Sequence, residues 1–267
     1  MKWIAIIIII FLLYVYTENR YILRIRRKNL NSSDDRIKIL HLSDLHKPLS
    51  FTVKALLSDI VKRQKPDIII FSGDLITRSC TDISKAEYLI SELVKIAPVY
   101  FCIGNHEVDL SRDMFEKLTA MLTKHGVSFA GQFTADIHGR KLCISSATLQ
   151  KSVYKKNGGY RNLDSFTLRE LTEDVGSPSS GCENLLIVHN PFFAEIYSEW
   201  GADYAFCGHV HGGIVRLFGI GLLSPERRLF PKYSKGVYDI GKMRLLVSGG
   251  IGKFRLFNPP EIVIYYL

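Results

Sequence analysis

No Cys-x-x-Cys pair occurs in the sequence, and its five cysteines (Cys80, Cys102, Cys143, Cys182 and Cys207) are odd in number and without regular spacing. This excludes a thiolate-bound structural zinc and a dithiol redox motif. The expectation is five reduced thiols in a reducing compartment, mostly filling core, because Cys102 and Cys207 sit within apolar runs. An internal repeat is absent as well, and no second domain boundary is visible. Nor does a small-x-small cleavage site follow the one long apolar run, where the chain reads Tyr14-Val15-Tyr16-Thr17-Glu18-Asn19. A removable signal peptide is therefore disfavoured.

That apolar run, residues 3–16, has 14 members. As a helix it reaches about 21 Å, short of a hydrocarbon core of about 30 Å. Residues 1–17 are read as an uncleaved membrane anchor, either a thin single pass or an interfacial (monotopic) helix. Trp3, Tyr14 and Tyr16 bracket it as interface residues do. Residues 18–36 are read as a basic juxtamembrane linker, with Arg20, Arg24, Arg26, Arg27, Lys28 and Arg36 against Glu18, Asp34 and Asp35. Positive charge densest after the run predicts a cytoplasmic catalytic domain. The net charge of +9 would attract phosphate-bearing substrates or anionic lipid. Residues 37–267 are then one domain, and a 47% hydrophobic chain can build its core.

From residue 37 strands and helices alternate. Short apolar runs at 37–42, 67–71 and 99–103 predict buried strands. Helical spacing follows at Val53, Leu56, Leu57, Ile60 and Val61, at Ala86, Leu89, Ile90, Leu93 and Val94, and at Phe115, Leu118, Met121 and Leu122. The second half is richer in strands, at 141–145, 185–188, 203–207, 245–248 and 262–266, with a loop over 151–162 and a turn-rich stretch over 172–184. This pattern implies βαβ units and at least one largely buried, mainly parallel sheet.

Five of these apolar runs end in polar clusters: Asp44-Leu45-His46, Gly73-Asp74, Gly104-Asn105-His106-Glu107, His189, and Gly208-His209-Val210-His211. Ligands of open α/β sheets bind beyond the carboxyl ends of the strands, so strands laid side by side would bring all five to one rim. An inventory of two Asp, one Asn and four or five His, with no Cys, suits a borderline cation such as Mn, Fe, Zn, Co or Ni. It is too large for one tetrahedral ion, which points to two divalent metal ions with a carboxylate between them. Such a pair can hold a shared hydroxide for in-line attack at phosphorus.

The five blocks resemble the calcineurin-like metallophosphoesterase superfamily, whose motifs read D-x-H, G-D, G-N-H-(D/E), H and G-H-x-H. The resemblance covers about residues 37–267 and implies a four-layer α/β/β/α sandwich of two mixed sheets. It implies that Asp44, His46 and His211 hold one metal, that Asn105, His189 and His209 hold the other, and that Asp74 bridges. Manganese is the first expectation for both ions. His106 corresponds to the non-ligand histidine that protonates the leaving group or stabilises phosphoryl charge.

The anchor and the tail (Phe230-Pro231-Lys232-Tyr233, Val247-Ser248-Gly249-Gly250 and Asn258-Pro259-Pro260-Glu261) are most similar to a bacterial membrane-associated subgroup. That subgroup includes phosphodiesterases and pyrophosphohydrolases acting on lipid-linked substrates such as UDP-2,3-diacylglucosamine. Three departures concern the substrate more than the metals: Lys47-Pro48 after His46, Glu107 where Asp is commoner, and Ile214 after the paired glycines. Arg216, Lys232 and Arg255 are candidate phosphate contacts. Glu107 is either a partner orienting a histidine or a surface carboxylate. His41 is read as structural. Residues 217–223 are either an apolar rim or a buried hairpin. The expected activity is hydrolysis of a phosphodiester or pyrophosphate bond in a lipid- or nucleotide-linked substrate. The alternatives are a phosphomonoesterase, a nuclease, against which the anchor argues, and a non-catalytic scaffold.

Overall fold

Strand side chains point alternately to two sides, and in this chain both sides are apolar, so each sheet must be covered on both faces. The computed structural model describes residues 2–31, 36–46, 56–157, 159–160, 162–252 and 255–267. Lys47, Pro48 and Val53, singled out above, lie outside them. The elements in chain order are α1 (Lys2–Tyr21), β1 (Arg24–Asn29), β2 (Lys38–Leu42), α2 (Leu57–Gln64), β3 (Ile68–Phe71), α3 (Ser84–Leu93), β4 (Val99–Phe101), α4 (Asn105–Val108), α5 (Arg112–Lys124), β5 (Ser128–Phe129), β6 (Gly131–Ile137) and β7 (Arg140–Ala147). The second half adds α6 (Leu168–Val175), β8 (Glu183–Val188), α7 (Ala194–Trp200), β9 (Tyr204–Cys207), β10 (Val215–Leu217), β11 (Ile220–Leu223), β12 (Gly236–Ile240), β13 (Met243–Val247) and β14 (Glu261–Tyr266).

Two six-stranded mixed sheets result, ordered β1-β14-β2-β3-β4-β5 and β12-β13-β9-β8-β7-β6. Ile39, Ile68 and Ile70 of the first sheet meet Ile144, Ile187 and Phe206 of the second in one core. The opposite face of the first sheet (Leu40, Leu42, Ile69) carries α2, α3 and α5 through Val61, Leu89 and Leu118. The opposite face of the second (Leu186, Val188, Ala205) carries α6 and α7 through Leu171 and Tyr197. These are the four layers that the motifs imply. His41, in the central core, is fully buried against Phe206, and burial pulls its imidazole down to about 3.

Three expectations need correction. The N-terminal helix extends past the 14-residue run to Tyr21, and its 20 residues reach about 30 Å, enough to cross a bilayer by length and composition. The 18–36 stretch is not a free linker: β1 pairs in parallel with β14 over Arg24–Asn29 as an edge strand. Its largely exposed arginines and lysine are what an unpaired sheet edge tolerates.

Third, Cys143 and Cys182 form a disulfide. Cys143 lies in β7 and pairs across to Asn184 of β8, which places Cys182 beside it with 5.9 Å between Cα atoms. Cys102 and Cys207 are free and buried, as expected, and Cys80 is free and half-buried. Disulfides persist in oxidising surroundings, so this bond removes the cysteine argument for a reducing compartment. With a sequence separation of 39 between its ends, loop closure predicts that Cys143→Ser costs about 3–4 kcal/mol. Thermal melts with and without reductant check this, and a melting temperature insensitive to reductant would contradict it.

Candidate metal centre

The loops after β2, β3, β4, β8 and β9 meet at one rim. Their backbones are tied together: Asp44 N–H donates to Gly73 O (3.0 Å), His46 N–H to Asp74 O (3.0 Å) and Gly208 N–H to His189 O (3.0 Å). Approach is so close that a Cβ at Gly208 would lie 1.8 Å from Ser43 Oγ, and one at Gly104 2.4 Å from Asp74 Oδ1. Only glycine fits either place. Asp44, His46, Asp74, His209 and His211 all have positive φ, between 52° and 72°. Left-handed backbone is uncommon for non-glycine residues and clusters where surrounding structure enforces it, typically at functional sites.

This strain aims the side chains inward. Asp44, His46, Asp74 and His211 are buried, and each brings a ligand atom within 4.8 Å of the others. Asp74 Oδ1 accepts the His106 N–H (2.8 Å), which leaves Oδ2 facing the cluster. Oδ2 lies 3.7 Å from His46 Nε2 on one side and 3.3 Å from His189 Nε2 on the other. On the first side, His211 Nε2 is 3.2 Å from His46 Nε2 and 3.4 Å from Asp44 Oδ1. On the second, Asn105 Oδ1 is 3.1 Å from His189 Nε2 and 2.8 Å from His209 Nδ1.

The protonation of the second set fits a cation. His189 Nδ1 lies 2.6 Å from the Ser72 carbonyl and must donate to it, which leaves Nε2 a bare acceptor. His209 Nε2 lies 2.6 Å from Glu226 Oε1 and donates there, which leaves Nδ1 bare. Two bare nitrogens and two oxygens thus face one another with no proton among them, an arrangement only a positive charge satisfies. In an empty site a proton is drawn in instead: burial pulls His189 down, but the Asp74 and Asp44 charges outweigh it and hold it up at about 9. The oxygen and imidazole donors suit first-row divalent ions.

Glu226 escaped the sequence reading. It is buried, and burial pushes its carboxyl up, but His209 and Ser224 outweigh that and bring it down to about 2. An ionised carboxylate that fixes the tautomer of a metal-facing histidine typically matters 10–100-fold in metal affinity. Glu226→Leu is therefore expected to weaken metal retention by about 10–100-fold in a chelator competition; parent-like retention would contradict this role.

Glu107 fits neither expected role. It is buried, Oε2 accepts the N–H groups of Asp74 and Gly104 (both 2.9 Å), and Oε1 accepts that of Ile76 (3.0 Å). It staples the Asp74 loop to the Asn105 loop. His106 Nδ1 lies 3.1 Å from the Arg78 backbone N–H, and Nε2 lies 3.3 Å from the Arg78 guanidinium, which can only donate. A neutral ring accepts one of these two bonds; with the backbone bond kept, its proton is on Nε2, which faces the cluster 3.9 Å from Asp74 Oδ2.

The cleft over the cluster is lined by Arg78, His106, Lys151, Tyr154, Lys155 and Glu226, among others. Arg78 bonds Asp109 (2.8 Å), to which Lys151 also pairs. Tyr154 stacks edge-on against His209, 5.0 Å between centroids, and among the described residues its buried hydroxyl has no hydrogen-bond partner. The cations at the site are thus not the three expected. Arg255 is fully buried, its guanidinium donating to the carbonyls of Gly250 and Gly252, where it supports a loop. Lys232 is exposed and pairs with Glu195 (2.7 Å). Arg216 lines a separate cleft. Arg78 carried one usable signal, its place in the loop just after Asp74. Lys151 and Lys155 carried none beyond charge.

The sequence pattern of the calcineurin-like phosphoesterase family matches residues 37–213. Over 242 residues, covering 86% of this chain and 82% of the relative, the chain is 26% identical to phosphodiesterase YaeI of Escherichia coli. It is 25% identical over 280 residues to the UDP-2,3-diacylglucosamine pyrophosphatase LpxG of Chlamydia muridarum, covering 85% of this chain and 82% of that one. The structure is similar to the sulfate thiohydrolase SoxB of Thermus thermophilus, with a TM-score of 0.50 and 12% identity over 90% of this chain and 58% of the other.

Proposed function

Since the chain belongs to the calcineurin-like phosphoesterase family, and is thereby a hydrolase of phosphoric ester bonds, we propose that it cleaves a phosphodiester or pyrophosphate bond with two divalent ions. The observation that carries the proposal is Asp74 Oδ2, which stands between two sets of nitrogen and oxygen donors, 3.7 Å from one and 3.3 Å from the other. Asp44, His46 and His211 would hold one ion, Asn105, His189 and His209 the other, and Asp74 both. Bound there, the ions supply Lewis acidity toward phosphoryl oxygens and a water nucleophile at neutral pH.

The chain's own residues do the rest. His106 Nε2–H donates to the leaving oxygen or to a phosphoryl oxygen, and Arg78 beside it takes a second oxygen. Lys151 and Lys155 draw a polyanionic substrate into the cleft. Tyr154 has a hydroxyl to offer the bound phosphoryl group. The cations extend beyond the cluster, which supports a substrate longer than a bare phosphate. The names of YaeI and LpxG support a diester or an anhydride, and LpxG supports a lipid-linked one. Bis-p-nitrophenyl phosphate and p-nitrophenyl phosphate, compared with Mn²⁺, test the choice: the diester is expected to be the better substrate, and a strong preference for the monoester would make the enzyme a phosphatase.

α1 is proposed as the membrane anchor. The arginine-rich flank supports a cytoplasmic domain, and the disulfide supports an oxidising side. Protease added to intact cells distinguishes them.

A further inference from the structure

Between His211 and Glu226, both at the metal site, the chain leaves the rim and forms the β10–β11 hairpin, antiparallel from Val215 to Leu223. Its tip is apolar where hairpin tips are ordinarily polar. Phe218 has φ +50° and is as exposed as in an extended peptide (101%), and Leu217 and Ile220 are exposed beside it. Residues 217–223 are therefore not a buried hairpin.

Phe218 overhangs a cleft that it lines with Arg24, Arg26, Arg216, Lys235 and Phe257. Arg26 and Lys235 share one carboxylate, Glu261, at 2.7 Å each. Among the described residues Arg216 bonds only uncharged oxygens, of Gly212, Gly219 and Ser234. Among the described residues Arg24 pairs with no carboxylate. The cleft thus carries four cations against one anion beside exposed aromatic surface.

It is also continuous with α1. Phe257 packs on Phe11 and Tyr14, with ring centroids 6.2 and 5.9 Å away. The Asn19 side chain clamps the Arg255 backbone through two 2.7 Å bonds, which fixes the foot of the helix to the domain.

We propose that the β10–β11 hairpin and this arginine cleft are a second membrane contact, Phe218 entering the headgroup–acyl boundary and the arginines meeting the phosphates of anionic phospholipid. The proposal rests on α1 lying in the bilayer. Apolar side chains next to cations, on one face, are what an interfacial contact with anionic lipid requires. The helix supplies the continuity, and the four cations supply the charge complement. The hairpin is inserted directly into the metal-binding loop, and seven residues span at most about 25 Å. Docking therefore holds the catalytic rim within that distance of the lipid surface, where an amphiphilic phosphoester would enter from the bilayer.

The full chain, reconstituted in phosphatidylcholine vesicles with or without phosphatidylglycerol, tests this with acyl chains carrying bromine as quencher. The parent has two tryptophans: Trp3 in α1, which reports the anchor, and Trp200, buried in α7. Phe218→Trp is expected to add a blue-shifted emission that bromolipid quenches roughly twofold beyond the parent. The extra quenching should need phosphatidylglycerol and fall with salt or with Arg24→Gln. Trp3 quenched while the added tryptophan emits as in water would overturn the docking and leave the anchor standing. A blue-shifted emission that bromolipid does not quench would place the hairpin against a second copy of the chain, and would also overturn it. Hydrolysis of a soluble diester by the same vesicles reports the catalytic reading separately.

Discussion

Asp74→Asn is expected to lower hydrolysis of bis-p-nitrophenyl phosphate by at least about 10³-fold, the upper range for loss of one preorganised charge-stabilising group, and to strip the protein of metal. The amide can keep its oxygen at the Oδ1 position, where His106 N–H donates (2.8 Å). Its NH₂ then replaces Oδ2, and a donor stands between His46 and His189 where an acceptor is needed. Without metal, burial pushes the Asp74 carboxyl up, but His189, His46 and His106 outweigh it and hold the group well below the usual carboxylate range, so the neutral amide gives up attraction as well as the repulsion toward Asp44. The expected variant is inactive and folded, with a melting temperature below that of the metal-free parent. Parent-like turnover with Mn²⁺ would defeat the assignment, because among the described residues Asp74 Oδ2 comes closer to His189 (3.3 Å) than does Asp44 Oδ1 (3.9 Å), the other oxygen that faces both donor sets.

Glu107→Leu is the second large effect, and it acts on stability. One buried carboxylate accepts three backbone N–H groups from two loops. Removing it orphans all three at once. A buried unsatisfied group costs about 1–3 kcal/mol, so the variant should lose about 4 kcal/mol or more in urea denaturation, near the extreme for point changes. Glu107→Gln should fall between the two, since either orientation of the amide turns an NH₂ toward a backbone N–H. Metal affinity should fall in the same order, because the stapled loops carry Asp74 and Asn105. A Glu107→Leu protein as stable as the parent would show that the staple contributes nothing.

Much of this was legible in the chain because the physics was local. A strand buried on both faces reads as an apolar run; β3, β4 and β9 are unbroken, β8 is apolar from Leu185 on, and β2 is interrupted by His41. Function collects at the carboxyl ends of such strands, so the ligand candidates could be named without knowing how the strands are ordered. What stayed hidden depends on distant neighbours. β1 is a polar edge strand, recognisable only through β14, and β7 and β8 bring Cys143 to Cys182 across a separation of 39 residues.

The short α6 did carry a signal. Thr167 and Glu170 form a reciprocal cap at its start, which reading 172–184 as turns overlooked. The cations failed for a different reason: charge is visible in a sequence, but direction is not. Arg255 turned inward to hold carbonyls, Lys232 turned outward to Glu195, and Arg78, unremarked in the sequence, turned into the cleft.

The central claim is that seven side chains, Asp44, His46, Asp74, Asn105, His189, His209 and His211, gather two cations. Anomalous diffraction from crystals of the protein purified with manganese, recorded at the manganese edge, tests it most directly. The account predicts two peaks in this cluster, both in contact with Asp74. A single peak, or peaks bound elsewhere while the cluster stays empty, would contradict it.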